Sequence, residues 1–273
     1  MADFTNTELT ATKNALIIEA VQRELISRAI VMPSISDWSS RAVKGTKSIA
    51  VPRAGSFAVE DRATGVEAAT VTVTYATDTI VLDQQSTVSW RVDPQDEVES
   101  TVAVQADLAA RAARAHAKNF DTLVIAGLEA DSTAITTVAP AITKAVVLEM
   151  REDLLTAEAE LGQITLLVGP GAESDLLAIA EFVEADKYGT AVIPNGVLGR
   201  LYGVEVRMST QIADTRYYMY DREGYGFAIQ QALNMGSRAA PELGSTAELH
   251  TMDMKWGHDQ LQNGALLLKD NNV

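Results

Sequence analysis

Residues 48–128 constrain this chain more than any other stretch. A long β-patterned excursion with few apolar anchors runs through Asp93 and Pro94 into an alanine-rich helical pattern of unusual length. Val71, Val73 and Tyr75 alternate with Thr70, Thr72 and Thr74, and residues 48–60 and 79–83 carry the same strand chemistry. Period two makes one face apolar and the other polar, which predicts half-buried strands and a hairpin turned at Arg62 to Val66. Pro94 then falls in a first helical turn, where its missing N–H costs nothing. Asp96, Glu97 and Glu99 stand at that end, and Arg111, Arg114 and Lys118 follow, a charge order that suits the helix dipole. A helix over residues 94–128 would be roughly 50 Å long. Its apolar line is Val98, Val102, Ala106, Ala109, Ala113, Ala117, Phe120 and Val124, small residues that let another element come close. Such a helix is a strut for a thin body, whereas a coiled coil would want large seam residues.

Charge is more useful for its placement than for its total. The formal net charge of −15 over 273 residues argues against general affinity for nucleic acid, which needs a basic surface to neutralise phosphate. Yet residues 41–53 hold Arg41, Lys44, Lys47 and Arg53 with no acid, and the following hairpin region holds Glu60, Asp61, Glu67, Asp78 and Asp83 against Arg62 alone. A basic hinge beside an acidic arm is one reading, and ordinary solvated surface is the other. With no cysteine, a disulfide framework and a thiolate metal site are excluded. There is no apolar run of about eighteen residues and no basic-then-apolar start of a signal peptide, so no membrane is expected as a partner.

Elsewhere the pattern mixes helices and strands. Residues 7–31 predict a first helix capped by Thr7 and ended by Met32 and Pro33, and residues 34–46 a polar connection. A loop or short strand is expected over 131–140 and an amphipathic helix over 143–161. A wholly apolar strand at 164–169 leads through Gly169-Pro170-Gly171 to a helix reaching Phe182, and residues 184–200 are loop-rich. Strands are predicted at 204–208, 216–221, 226–229, 248–254 and 265–268.

Catalytic chemistry finds little support. Gly169-Pro170-Gly171 sits between strand and helix as a dinucleotide fingerprint does, but the third glycine is replaced by Ser174, Pro170 removes an N–H, and Glu173 places negative charge where a pyrophosphate would bind. His116, His250 and His258, with Asp253 and Asp259, match no metal-ligand spacing, and structural roles are expected of them. No serine elbow and no phosphate-binding loop occur. Neither a cofactor nor a metal is implied, and the expectation is a protein that is not an enzyme.

Residues 186–209 add specificity: a loop with glycines at 189, 196, 199 and 203 closes into Gly199-Arg-Leu-Tyr-Gly-Val-Glu-Val-Arg-Met-Ser209. In this run, and in the order of elements along nearly the whole chain, the sequence resembles the major capsid proteins of tailed bacteriophages with the Hong Kong 97 fold. The resemblance implies an α+β architecture: an N-terminal arm at 1–47, an extended hairpin loop at 48–91, a peripheral domain with a long spine helix at 92–142 and 231–273, and an axial domain at 143–230. It implies self-assembly into pentamers and hexamers of an icosahedral shell, built in the host cytoplasm, that encloses double-stranded DNA without sequence-specific binding. Portal and decoration proteins are partners such a shell would have. About 45 residues precede the hairpin, too few for a fused scaffolding segment, so a separate scaffold or none is implied. The lysine–asparagine crosslink of some relatives is not carried over, because residues 54–83 contain no lysine. Inter-subunit contacts are expected from Arg41, Lys44, Lys47 and Arg53 against Glu60, Asp61 and Glu67, and from Tyr188 and Ile193 near the capsomer axis. An encapsulin-type protein compartment shares the fold and stands as the alternative, with a cytoplasmic α/β enzyme using the Gly169 turn behind it.

Overall fold

The alanine line of the long helix is where the fold is organised. The computed structural model describes residue 25 and residues 28–54, 75–92, 104–135, 141–157, 159–160, 162–179, 197–213, 216–239, 248–261 and 267–269. In chain order the strands are β1 (Ser36–Asp37), β2 (Ser48–Ala54), β3 (Tyr75–Val81), β4 (Gln84–Val92), β5 (Thr133–Ala134), β6 (Ile164–Val168), β7 (Val197–Leu201), β8 (Val204–Met208), β9 (Tyr217–Asp221), β10 (Tyr225–Ala239), β11 (Glu248–Gln260) and β12 (Leu267–Lys269). The helices are α1 (Val104–Asp131), α2 (Lys144–Thr156) and α3 (Pro170–Leu177).

Helix α1 has 28 described residues, about 42 Å of rod. Ala109, Ala113, Ala117, Phe120 and Val124 are buried along the expected line, joined by Ala112, Ile125 and Leu128, while Ala106 is exposed. Residues 94–103, with Val98 and Val102, lie outside the described residues. Small side chains let the rod settle on a four-stranded sheet of order β1-β10-β11-β4. There Phe120 packs on Trp256 with ring centroids 4.4 Å apart and meets Phe227 edge-on at 5.5 Å. At Gly127 the approach is so close that a Cβ would fall 2.1 Å from the Tyr225 hydroxyl. The space so freed holds the Tyr225 hydroxyl against His258 Nδ1 at 2.7 Å.

The second core lies under a six-stranded sheet of order β5-β12-β9-β6-β8-β7. All five residues of β6 are buried, which explains its unbroken apolar run: it pairs parallel with β8 on one side and antiparallel with β9 on the other. Val146, Val147, Met150 and Leu154 of α2 and Leu176 of α3 cover it. Strands β7 and β8 form a hairpin whose two-residue turn puts Tyr202 at φ +51° and Gly203 at φ +86°, the paired left-handed conformation that matches strand twist. The changeover between the sheets falls at Arg222–Gly224, and β12 pairs with β9 and β5, so the 231–273 stretch contributes to both sheets.

Several elements differ from their predicted limits. Helix α2 ends at Thr156 rather than 161, where Ala159 N turns back to Leu154 O at 3.0 Å. Of the first helix only Leu25 and Arg28 are described as helical, and Ile30 has already left the helix before Met32. Strand β4 was not among the predicted strands, and β10 runs ten residues beyond 229, through register shifts at Ile229/Gln231 and Gln231/Asn234. The hairpin turn at 62–66, the strand residues 69–74 and the end of the helix reaching Phe182 lie outside the described residues.

Candidate assembly surface

Two elements are seated on the body by specific chemistry. The first is the N-terminal segment. Asp121, 3% exposed on α1, accepts hydrogen bonds from Ile30 N at 3.0 Å and Val31 N at 3.2 Å. These amides would otherwise continue a helix, so their capture explains why it stops before Met32. Arg207 on β8 donates to Ile30 O at 2.9 Å and is held by Glu205 at 2.6 Å. Ser34 Oγ donates to Val31 O and lies 2.7 Å from the Tyr220 hydroxyl. Burial pushes the Asp121 carboxyl up to about 6, against the two backbone amides that favour its ionised form. The segment is thus pinned where α1 meets the six-stranded sheet.

A second cluster locks that junction further along α1. Arg216 Nη1 donates to Glu129 at 2.6 Å, and the Tyr218 hydroxyl donates to the other carboxylate oxygen. Burial, then the Glu129 carboxylate, pushes the Tyr218 hydroxyl up, so it stays protonated and donating. Charge-assisted bonds of this kind are stronger than neutral ones and fix geometry as well as energy.

The second seated element is the hairpin. Strands β2 and β3 pair antiparallel with Ile49 opposite Ile80, and both side chains turn inward with Val51 and Leu82 onto Ala228 and Leu261. The hairpin base crosses β11 at Gly257, where a Cβ would lie 1.9 Å from Val81 O. Only glycine permits that crossing.

Between the two anchors lies the basic loop. The Arg41 guanidinium sits 4.8 Å from the centre of the Trp38 ring. Val43 to Thr46 form a turn closed by Thr46 N to Val43 O at 3.1 Å, with Gly45 at φ +94°. Gln230 Nε2 holds the turn from below, donating to Val43 O at 3.0 Å and Thr46 O at 2.6 Å. Lys44 and Lys47 are exposed on this braced loop. Arg53 lies 3.8 Å from Asp78 of the same hairpin and donates to Leu261 O at 3.4 Å. Its fork already has partners within the chain. Glu60, Asp61, Glu67, Tyr188 and Ile193 lie outside the described residues.

The histidines have identifiable structural work. His116 spans Ser86 on β4, at 2.9 Å from Nδ1, and Met252 O on β11, at 3.2 Å from Nε2, and burial pushes its imidazole down toward the neutral form. His258 faces Tyr225 and stacks on Trp256, and His250, at the other end of β11, stacks on Trp90. Asp121 and Glu129 were missed by sequence reasoning. The signal for Asp121 was an acid on the apolar stripe, beside Phe120 and one turn from Ala117 and Val124.

A long helix packs on one sheet, a second sheet has its own core and a hairpin is seated on the first, and a family model described as phage capsid protein matches residues 39–267. The chain belongs to the phage capsid protein family. The phage capsid protein has the Hong Kong 97-like fold. It is similar to the structure from Mycobacterium phage Che8 (18% identity over 87% of this chain and 89% of that one, TM-score 0.68) and to the capsid of Cyanophage P-SCSP1u (13%, 88% and 87%, TM-score 0.67). It is also similar to the virus-like particle from Pyrococcus furiosus (10%, 95% and 99%, TM-score 0.65). At these identities the likeness shows the fold alone. No curated protein matches. The family match makes this a phage major capsid protein of the virion shell, self-association is its family's trait, and an encapsulin-type compartment is not favoured.

Proposed function

We propose that the chain forms the pentamers and hexamers of an icosahedral shell around double-stranded DNA, assembled in the host cytoplasm, and that it works by geometry and not by catalysis. The observation that carries this is the pair of anchors. The hairpin is seated at its base by Ile49, Val51, Ile80 and Leu82 while Tyr75 at its other described end is 73% exposed, and the N-terminal segment is held at Ile30, Val31 and Ser34 and by β1 on β10. The segments beyond these seats contact neighbouring subunits in this reading, and heterologous contacts that close by rotation make rings. In this reading α1 with the four-stranded sheet forms the peripheral domain, and the six-stranded sheet with α2 and α3 forms the axial domain. The loop at 186–196, with Tyr188 and Ile193, then leads from β7 toward the capsomer axis. Arg41, Lys44, Lys47 and Arg53 meet acids of a neighbouring copy, Glu60, Asp61 and Glu67 being the candidates. Scaffolding, portal and decoration partners are separate proteins.

Light scattering and electron microscopy of the purified chain test this. Megadalton particles built of five- and six-membered rings are expected, with DNA enclosed in particles taken from infected cells. A chain that stays a small oligomer under all assembly conditions refutes it.

A further inference from the structure

Helix α1 carries a positive face in a chain of net charge −15. Arg111, Arg114 and Lys118 are exposed along it, with the short side chains of Ala115, Asn119, Thr122 and Ala126 between and beyond them. Asp121 is the one acid between Leu108 and Leu128, and it is turned inward onto the Ile30 and Val31 amides. Neither usual reason for cations on a helix accounts for the row. The helix dipole acts within the last turn, whereas Lys118 lies more than three turns before Asp131, and that last turn holds no cation. Along the helix, Arg111 has an acid in reach, its Nε donating to Asp107 at 2.8 Å. Arg111 with Arg114, and Arg114 with Lys118, are like-charge neighbours at three and four residues, an arrangement that weakens a helix standing alone. A local rule broken in this way marks a surface shaped for something outside the helix.

We infer that the exposed face of α1, through Arg111, Arg114 and Lys118, is a sequence-independent contact for the phosphate backbone of the enclosed DNA duplex. The inference rests on the shell reading above and adds which side of the subunit meets the contents. On β11 successive residues point to opposite sides: Trp256 packs on Phe120 of α1, and Gly257 meets Val81 at the hairpin base. The helix and the hairpin therefore lie on opposite sides of the four-stranded sheet, and the inference turns the helix side inward. The face itself selects a polyanion over a protein. A protein contact is anchored by large apolar or aromatic side chains, and of the large hydrophobics left in solvent among the described residues, Val43, Tyr75, Val81, Leu155 and Leu177, none lies on α1. Arg111 to Lys118 spans about 10.5 Å of helix axis, the length over which one strand of a duplex presents about three phosphates. Short side chains between the cations leave a duplex free to lie along the row.

Unassembled subunits are titrated with a short fluorescent DNA duplex between about 50 and 200 mM salt. The wild type is compared with Arg111→Gln/Lys118→Gln and with the charge-keeping exchange Arg111→Lys/Lys118→Arg. Expected is binding that weakens with salt, with a slope of log affinity against log salt shallower by about 1.8 in the glutamine variant, about 0.9 for each cation removed. The charge-keeping variant retains the wild-type slope, and neither variant melts below the wild type. In particles, Lys118 is acetylated with a small reactive ester in the DNA-filled state and after the same particles are emptied of DNA, and labelling roughly tenfold slower in the filled state is expected. Wild-type subunits that bind no duplex, or equal slopes for wild type and glutamine variant, overturn the inference. Equal labelling of Lys118 in filled and emptied particles also overturns it and leaves the shell reading intact; if both are shielded relative to free subunits, the face belongs to a protein contact instead. Failure of the wild-type chain to form particles overturns the shell reading and this inference with it.

Discussion

Replacing Asp121 by asparagine isolates the energetics of the arm anchor. The carboxyl moves from 3.8 to about 6 on folding because burial disfavours its charge. A raised acid pKa means the folded protein holds the proton more tightly than the unfolded chain, so this group favours folding at low pH. That contribution is fully present below the unfolded value near 3.8 and is lost as pH rises through about 6. The full difference is about 3 kcal/mol, and because the chain's pI of about 4.6 makes acid solutions prone to precipitation, the useful window is pH 5 to 7.5, over which about 1.4 kcal/mol is lost. Asparagine retains one acceptor for Ile30 N or Val31 N and turns a donor toward the other, at a pH-independent cost of roughly 1–3 kcal/mol. Urea unfolding of unassembled subunits at both pH values therefore gives two slopes. Wild type loses about 1.4 kcal/mol more than Asp121→Asn between pH 5 and 7.5, and the variant's relative position improves as pH rises. Subtracting one chain from the other cancels the nearby groups common to both, Tyr220, Arg207 and Glu205. Parallel pH profiles for the two proteins would refute the account of a buried, ionised anchor.

Gly257→Ala puts a methyl group into the backbone of Val81, and because backbone cannot swing aside, a loss of roughly 2–3 kcal/mol in urea unfolding is expected, with faster protease cleavage within residues 48–83. An unchanged midpoint would mean that the hairpin base is not seated on β11. Lys44→Glu with Lys47→Glu should lower assembly while leaving subunit melting and helix content unchanged, and wild-type assembly should weaken toward 1 M salt, where the Debye length is about 3 Å. Wild-type yields from this double variant would remove the proposed charge contact.

Much of the scaffold was legible because its chemistry is local. The alanine line of α1 and the unbroken apolar run of β6 each follow from one period and one degree of burial. Strand β4 shows period two only in its second half, where Val88, Trp90 and Val92 turn inward, because Gln84 and Ser86 hold the same face before them. The far half of β10 escaped for a related reason: its register slips near Gln231, which interrupts alternation, and Gly236 and Asn234 are ordinarily turn residues. The intrachain partner of Arg53 was not legible, because adjacency in sequence says nothing about which strand face a cation occupies. Its partner Asp78 is fixed only by the β2–β3 register. Asp121 and Gly257 depend on contacts 90 and 176 residues away in the chain, and no local pattern carries such information.

The place of β12 bears on how the protein is made. Six-stranded pairing puts Leu268 beside Thr133 and Met219, so the strip between β5 and β9 stays unfilled until residues near Lys269 emerge from the ribosome. At bacterial synthesis rates the interval between the completion of β9 at Asp221 and the start of β12 at Leu267 is roughly 2–9 s. During that time a nascent chain already holds α1 and β6 but offers an open sheet edge, the kind of surface that recruits stray strands. Chains released before Leu267 would keep that edge, since β12 supplies the pairing to both β5 and β9.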